Sequence, residues 1–322
     1  MPARRGDSLA SVTEPSVPNE QSEQARGFAL GVAAYGLWGL FPLYWPLLKP
    51  AGAIEILAHR VSWSLLTMVV LVVALRRTSQ LRAIVRNPRT FRLLTLAAVV
   101  VAINWGTYIW GVNQGLVVET SLGYFINPLV TVMMGVVILK ERLRGWQWLA
   151  IGVAFVAVLA LTLDYGHPPW VALVLAFSFG TYGLAKKQAN AGAIESLTFE
   201  TVVLTPLALG YLVWLTVAGK GHFLGHGTGH AVLLALTGVV TAIPLICFGG
   251  AAIRVPMTTL GLLQYLAPVL QFVIGVTIVH ESMTPVRWAG FGLVWIALVV
   301  FTVDALRNRR RQLQLAAEAC AI

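Results

Sequence analysis

Arg60 and Glu200 are charged side chains set inside long apolar stretches, with His59 beside the first. At the centre of a bilayer a charge costs at least ~2.5–3.5 kcal/mol, so an ion retained there is a candidate for function. Glu200, with His59 as a helper, is suited to taking up and releasing protons. Arg60 and Glu200 also suit gates at opposite mouths of a path. The competing account has both side chains snorkelling to a nearby interface and His59 acting as a structural hydrogen-bonder.

Neutral polar groups gather in the same kind of stretch. Helical spacing puts Asn104 and Tyr108 on one face, with Trp105 close to it. Tyr124 and Asn127 precede Pro128, and Gln264 and Tyr265 precede Pro268. A proline frees the carbonyl four residues back, and in lipid that acceptor is tolerated only beside a cavity or a polar neighbour. Trp38 and Tyr44 lie where Gly36, Gly39, Pro42 and Pro46 predict a kinked or hinging helix. Rings together with amides suit binding of an uncharged or zwitterionic organic solute. Helix–helix hydrogen bonds and an interfacial aromatic belt are the alternative, and Trp110 fits the belt.

Other chemistries lack their parts. Cys247 and Cys320 are the two cysteines, which excludes a disulfide framework and a thiolate metal site. His222, His226 and His230 have the spacing of metal ligands on a helix, but Gly221, Gly225, Gly227 and Gly229 argue against a helix there. His280-Glu281 does not complete an HExxH zinc motif, because position 284 is threonine. No GxxxxGK[ST] phosphate loop and no Ser/His/Asp arrangement is present. The expectation is therefore a non-enzyme without metal or cofactor. A membrane-embedded enzyme acting on a lipid-linked substrate is the rival class, and it would need a catalytic cluster at one face.

Long apolar segments must position these groups. The chain of 322 residues is 57% hydrophobic and 11% charged, against ~25% charged in a soluble domain. Its net charge of +10 would suit nucleic acid only as one soluble basic face. The basic residues instead flank apolar runs, so nucleic acid is not an expected partner. A window of about 19 residues picks out ten spans, near 28–48, 56–75, 92–110, 116–139, 146–163, 169–186, 197–217, 230–252, 257–279 and 286–306. With the N-terminus inside, nineteen Lys and Arg fall in inner segments, while Lys49, Lys220 and Arg287 fall outside. That bias predicts both termini in the cytoplasm.

The chain also repeats itself at a shift of 140 residues. Ala51-Gly52-Ala53-Ile54-Glu55 returns as Ala191-Gly192-Ala193-Ile194-Glu195, and Pro128, Glu141, Trp148 and Asp164 return as Pro268, Glu281, Trp288 and Asp304. Apolar bias does not match Glu, Trp, Pro and Asp in one register. Each unit holds five spans, so the second must insert upside down, the arrangement of secondary transporters with a substrate site at the repeat interface. Arg60 and Glu200 are repeat mates that approach the midplane from opposite faces, so a direct salt bridge between them is not expected. The organisation expected is a disordered inner tail at 1–26, repeats at 27–164 and 165–306, and a basic inner tail at 307–322. Solute and lipid bilayer are the expected partners, and a homodimer is left open.

The stretch from Tyr35 to Pro42, Glu55 to Arg60 with Trp63-Ser64, and Asn104-Trp105 resemble the RarD family. So do Ser121 to Leu129, Glu141 to Leu143, Thr241 to Leu245 and Gly261 to Pro268. RarD proteins form part of the EamA branch of the drug/metabolite transporter superfamily. The resemblance covers about residues 26–306. It implies an all-helical, ten-span fold of two inverted EamA repeats in the cell inner membrane. It also implies a permease exporting a small metabolite or drug-like solute, in a family commonly labelled by chloramphenicol sensitivity. A passive facilitator is the alternative within transport.

Overall fold

The structure is a computed structural model that describes residues 20–320 apart from positions 141, 142, 144, 253 and 256. The described residues form helices and no strand. In chain order they are α1 (Glu20–Gly39), α2 (Phe41–Tyr44) with a 3-10 turn at Trp45–Leu48, α3 (Ala53–Ala74), α4 (Thr78–Arg86) and α5 (Pro88–Asn113). There follow α6 (Val117–Leu139), α7 (Gly145–Tyr165), α8 (Trp170–Ala189) and α9 (Ala193–Val217). The last four are α10 (Gly227–Ala252), α11 (Met257–Leu263), α12 (Leu266–Thr277) and α13 (Pro285–Cys320).

Among the described residues, eight segments are long and apolar enough to cross a membrane. A ninth is present if α1 and the α2 stretch, bent by 41°, form one broken span. The bend falls among the glycines and prolines expected to break that segment. The count of ten is therefore not reached on apolarity alone. The missing one is α8, which has the length but carries Lys186 and Lys187 in its last turn. Conversely, α4 is an amphipathic helix of nine residues, too short to register in a 19-residue window.

The tail expected over 1–26 is also corrected in part. α1 already runs from Glu20, and Glu23 accepts from Arg254 Nε at 2.8 Å, which ties those residues down. Residues 1–19 of that tail lie outside the described residues.

Local chemistry sets several boundaries. Asn87 Oδ1 accepts from the amides of Arg89 and Thr90, and Pro88 opens α5 with its fixed φ. α6 and α12 are both followed by a left-handed residue, Lys140 (φ 55°) and His280 (φ 57°), which stand 140 apart.

Packing follows the same register. α1 lies on α10 and α12 as α8 lies on α5 and α6, and α7 pairs with α13. α3 pairs with its repeat mate α9, and the two run antiparallel. Glu55 at the start of α3 meets His222 beyond the end of α9, while Glu195 at the start of α9 meets Arg77 beyond the end of α3. Small residues permit the closest approaches. A Cβ at Gly238 of α10 would run into the Trp63 backbone of α3, and one at Gly123 of α6 would sit 2.8 Å from the Ala172 carbonyl oxygen of α8. Leu122, Phe125, Leu161, Phe272 and Phe291 fill the core where α6, α7, α12 and α13 meet.

Candidate functional site

Arg60 is 3% exposed, enclosed between α3, α10 and the aromatic side chains around it. Its Nε donates to Thr241 Oγ1 at 3.0 Å. Its guanidinium carbon lies 3.8 Å from the Trp105 ring centroid, 5.1 Å from that of Trp45 and 5.8 Å from that of Phe41. The negative ring faces partly replace the lost water. The snorkelling account is thereby corrected for Arg60, because the rings of α2, α5 and the 3-10 turn shut the guanidinium away from either interface.

Beside this cage, Asn104 (1% exposed) joins three helices. Its Nδ2 donates to the Leu175 carbonyl at 3.1 Å and to Ser178 Oγ at 3.0 Å, both on α8. The Tyr124 hydroxyl of α6 donates to Asn104 Oδ1 at 3.1 Å. The Tyr108 and Tyr124 rings meet edge to face at 5.6 Å. Tyr44 donates its hydroxyl to the Leu233 carbonyl of α10 at 2.6 Å. One cluster thus brings together Arg60, Asn104, Trp105, Tyr108 and Tyr124 of the expected residues. Phe41, Tyr44, Trp45 and Thr241 join it without having been singled out for that place. It lies on the seam between the repeats, since Thr241 and Ser178 come from the second.

The remaining candidates sit elsewhere. Asn127 Nδ2 donates to the Ala176 carbonyl at 2.9 Å and so serves the α6–α8 contact. Trp38 packs against Tyr35 and Phe248, at the edge of the cluster, and its carbonyl accepts from Gln271 Nε2. Gln264 and Tyr265 form the break between α11 and α12. Tyr265 hydrogen-bonds with Gln264 and with Thr302 of α13, and it packs into the α6–α7–α12–α13 core. The repeat relation to Tyr124 does not carry over to position in the site, because Gln264 and Tyr265 pair with each other and Tyr265 packs against α13.

Glu200, 1% exposed, is paired. Lys186 Nζ lies 3.2 Å from Oε1, Tyr182 donates to Oε2 at 3.1 Å, and Lys186 also donates to the Tyr182 hydroxyl at 2.8 Å. His59 stacks on Phe223 at 4.9 Å, and Phe223 continues onto Trp63 at 6.1 Å. The segment carrying Phe223 is fastened by His222, whose amide and Nδ1 both meet the Glu55 carboxylate at 2.7 Å. His230 adds contacts to the His222 and Leu48 carbonyls at 3.1 and 2.9 Å. The spacing of His222, His226 and His230 thus resolves into ring-to-ring packing at 5.1 and 5.6 Å. α10 begins at Gly227, so His230 already stands on a helix.

At the opposite end, Arg77 Nη1 meets Glu195 Oε1 at 3.0 Å. A cavity of about 370 Å³ opens there against α4, lined by Arg77, Gln80, Asn87, Thr90, Asn190 and Glu195 among others. Back at the His222 end, Glu281 in the turn after α12 accepts from the Val118 amide at 2.8 Å. Burial pushes its carboxyl up to about 7, against the pull of the Val118 and Val117 amides.

A bundle of membrane-crossing helices, doubled in sequence and sealed around a polar cluster at the seam, is the build of a multi-pass membrane transport protein. The profile of the EamA-like transporter family matches residues 25–163 and again 169–303. The chain is 60% identical over 291 residues to protein RarD of Streptomyces exfoliatus, an overlap covering 90% of this chain and 92% of that one. It is 42% identical over 286 residues to an uncharacterized transporter of Pseudomonas aeruginosa, covering 89% and 96%. A solved crystal structure 18% identical in sequence shares the fold with a TM-score of 0.56, over 88% of this chain and 99% of its own. The chain belongs to the EamA-like transporter family, in its RarD group.

Proposed function

We propose that the chain is a secondary transporter that presents the Arg60 cluster to the two sides of the membrane in turn, exporting a small metabolite or drug-like solute. The observation that carries this reading is the cluster itself. Asn104, Tyr124 and Arg60 of one repeat meet Ser178 and Thr241 of the other, so any rocking of the repeats opens or closes that point. In this reading α8 is the tenth span, its lysines lying at the inner surface and its faces covered by α5 and α6. The cytoplasm lies at the α4 end, where Arg76, Arg82, Arg86, Arg89 and Arg92 gather, and both termini face it in the cell inner membrane. The Phe223 segment is the outer gate and the Lys186–Tyr182–Glu200 group the inner latch, with Glu200 as the proton-coupling candidate.

Proteoliposomes test this. An imposed proton gradient should drive uphill accumulation of a solute found by thermal-shift screening, and Glu200→Gln should abolish the response to the gradient. Equilibration without accumulation would instead indicate a passive facilitator. A Glu200→Gln protein that kept its full response would remove that residue from coupling.

A further inference from the structure

Among the described residues, Arg60 is a buried cation without a counter-ion. Among the described residues it makes one hydrogen bond, to the neutral Thr241, and no ion pair. A charge in that position is costly unless something pairs with it. Its repeat mate Glu200 shows the contrast, being held by its own lysine.

The unspent hydrogen-bonding capacity around Arg60 is mostly of one kind. Its terminal nitrogens are donors, and the Trp45 Nε1 and the Tyr108 hydroxyl are buried with no partner among the described residues. Trp45 and Tyr108 are 0% and 3% exposed. By contrast, the hydroxyls of Tyr44 and Tyr124 are already committed. A cage that offers donors and a single positive charge, walled by aromatic rings, is complementary to a singly charged acceptor on an apolar body.

We propose that Arg60 is the anion-binding residue of this site and that the solute bears a carboxylate on an aromatic or apolar frame. The proposal rests on the transport reading for the purpose of the site, but not for its existence. It narrows the uncharged or zwitterionic solute that the amides and rings alone suggested to one bearing a carboxylate. Neutralising the guanidinium with the solute's own carboxylate also supplies a reason for the site to close only when loaded. The empty cage holds an unpaired charge and the loaded one does not. A phosphate dianion fits less well, since among the described residues the rings of this cage close on a single guanidinium.

The test is binding to the purified full chain in detergent, with phenylacetate as the probe and phenylacetamide as its uncharged isostere. Phenylacetate should bind at least about tenfold more tightly than the amide, the least that a charge-assisted hydrogen bond contributes. Arg60→Gln should remove that preference while leaving the unliganded protein's thermal midpoint unchanged or raised, because an uncompensated charge has gone. Should Arg60→Gln fail to fold, Arg60→Lys carries the test, with weaker binding but a retained preference for the carboxylate. Equal affinity for acid and amide, a preference surviving in Arg60→Gln, or no phenylacetate binding up to about 10 mM would each overturn the proposal. Binding without carriage in proteoliposomes would refute transport and leave the site standing. Carriage of uncharged solutes with no preference for acids would do the reverse.

Discussion

Asn104 holds both repeats with one amide. Its side chain gives two hydrogen bonds to α8 and receives one from Tyr124. Asn104→Leu should therefore lower the thermal midpoint by an amount equivalent to about 1–3 kcal/mol, since it strands the Tyr124 hydroxyl and removes both bonds to α8. Calorimetry or dye-based melting checks this. Glu281 offers a pH signature. Its carboxyl titrates near 7 in the folded protein against a usual 4.5. The folded state therefore keeps a proton that an unfolded chain releases over that window, and its contribution to stability falls as pH rises from about 4.5 to about 7. Glu281→Gln should flatten the dependence of the melting midpoint across that range, and an unchanged slope would contradict the assignment. Arg60, Asn104, Trp105, Tyr108 and Tyr124 were legible in the sequence because polar groups are conspicuous in an apolar run. Phe41 and Trp45 were not, since an aromatic residue in lipid has many ordinary uses. Lys186 was read as a topology signal, yet it is the partner of Glu200. Charge bias along the chain carries no information about which ion meets which.

At the scale of helices, composition decides membership and packing decides position. α8 shows this, with polar and basic residues that lower its apolarity while α5 and α6 cover two of its sides. The 140-residue register anticipated that α3 and α9, α6 and α12, and α7 and α13 would be structural mates. It did not reveal that α11 and α12 part at Gln264–Tyr265 while α6 runs unbroken past Tyr124. Pro128 and Pro268 are alike in sequence, so the difference comes from surroundings, with Tyr265 anchored to Thr302. Gly238 tests the closest helix contact. Gly238→Val puts carbon atoms where the Trp63 backbone stands, and neither helix backbone can yield locally. We expect a loss of at least about 1–3 kcal/mol of stability, seen as a reduced monodisperse fraction on size exclusion and a lower melting midpoint.

For the whole molecule, the two ends differ sharply in charge. Arginines crowd the α4 end, whereas the end bearing Leu224 holds Lys49, Lys220 and Arg287. In a variant lacking Cys247 and Cys320, a cysteine at Leu224 should react with a membrane-impermeant thiol reagent on intact cells. One at Arg82 should react only after permeabilisation. Labelling of both from the outside would contradict the head-to-tail arrangement of α3 and α9. That arrangement has a further consequence. Had the two units remained separate identical chains, each end of the α3–α9 pair would carry the same fastening, and no change could touch one end alone. Fusion into a single chain lifts that constraint. Glu55 and Glu195 keep a common acid, but one grips a histidine and the other an arginine. A single chain thus holds the two ends of one helix pair with two different fastenings.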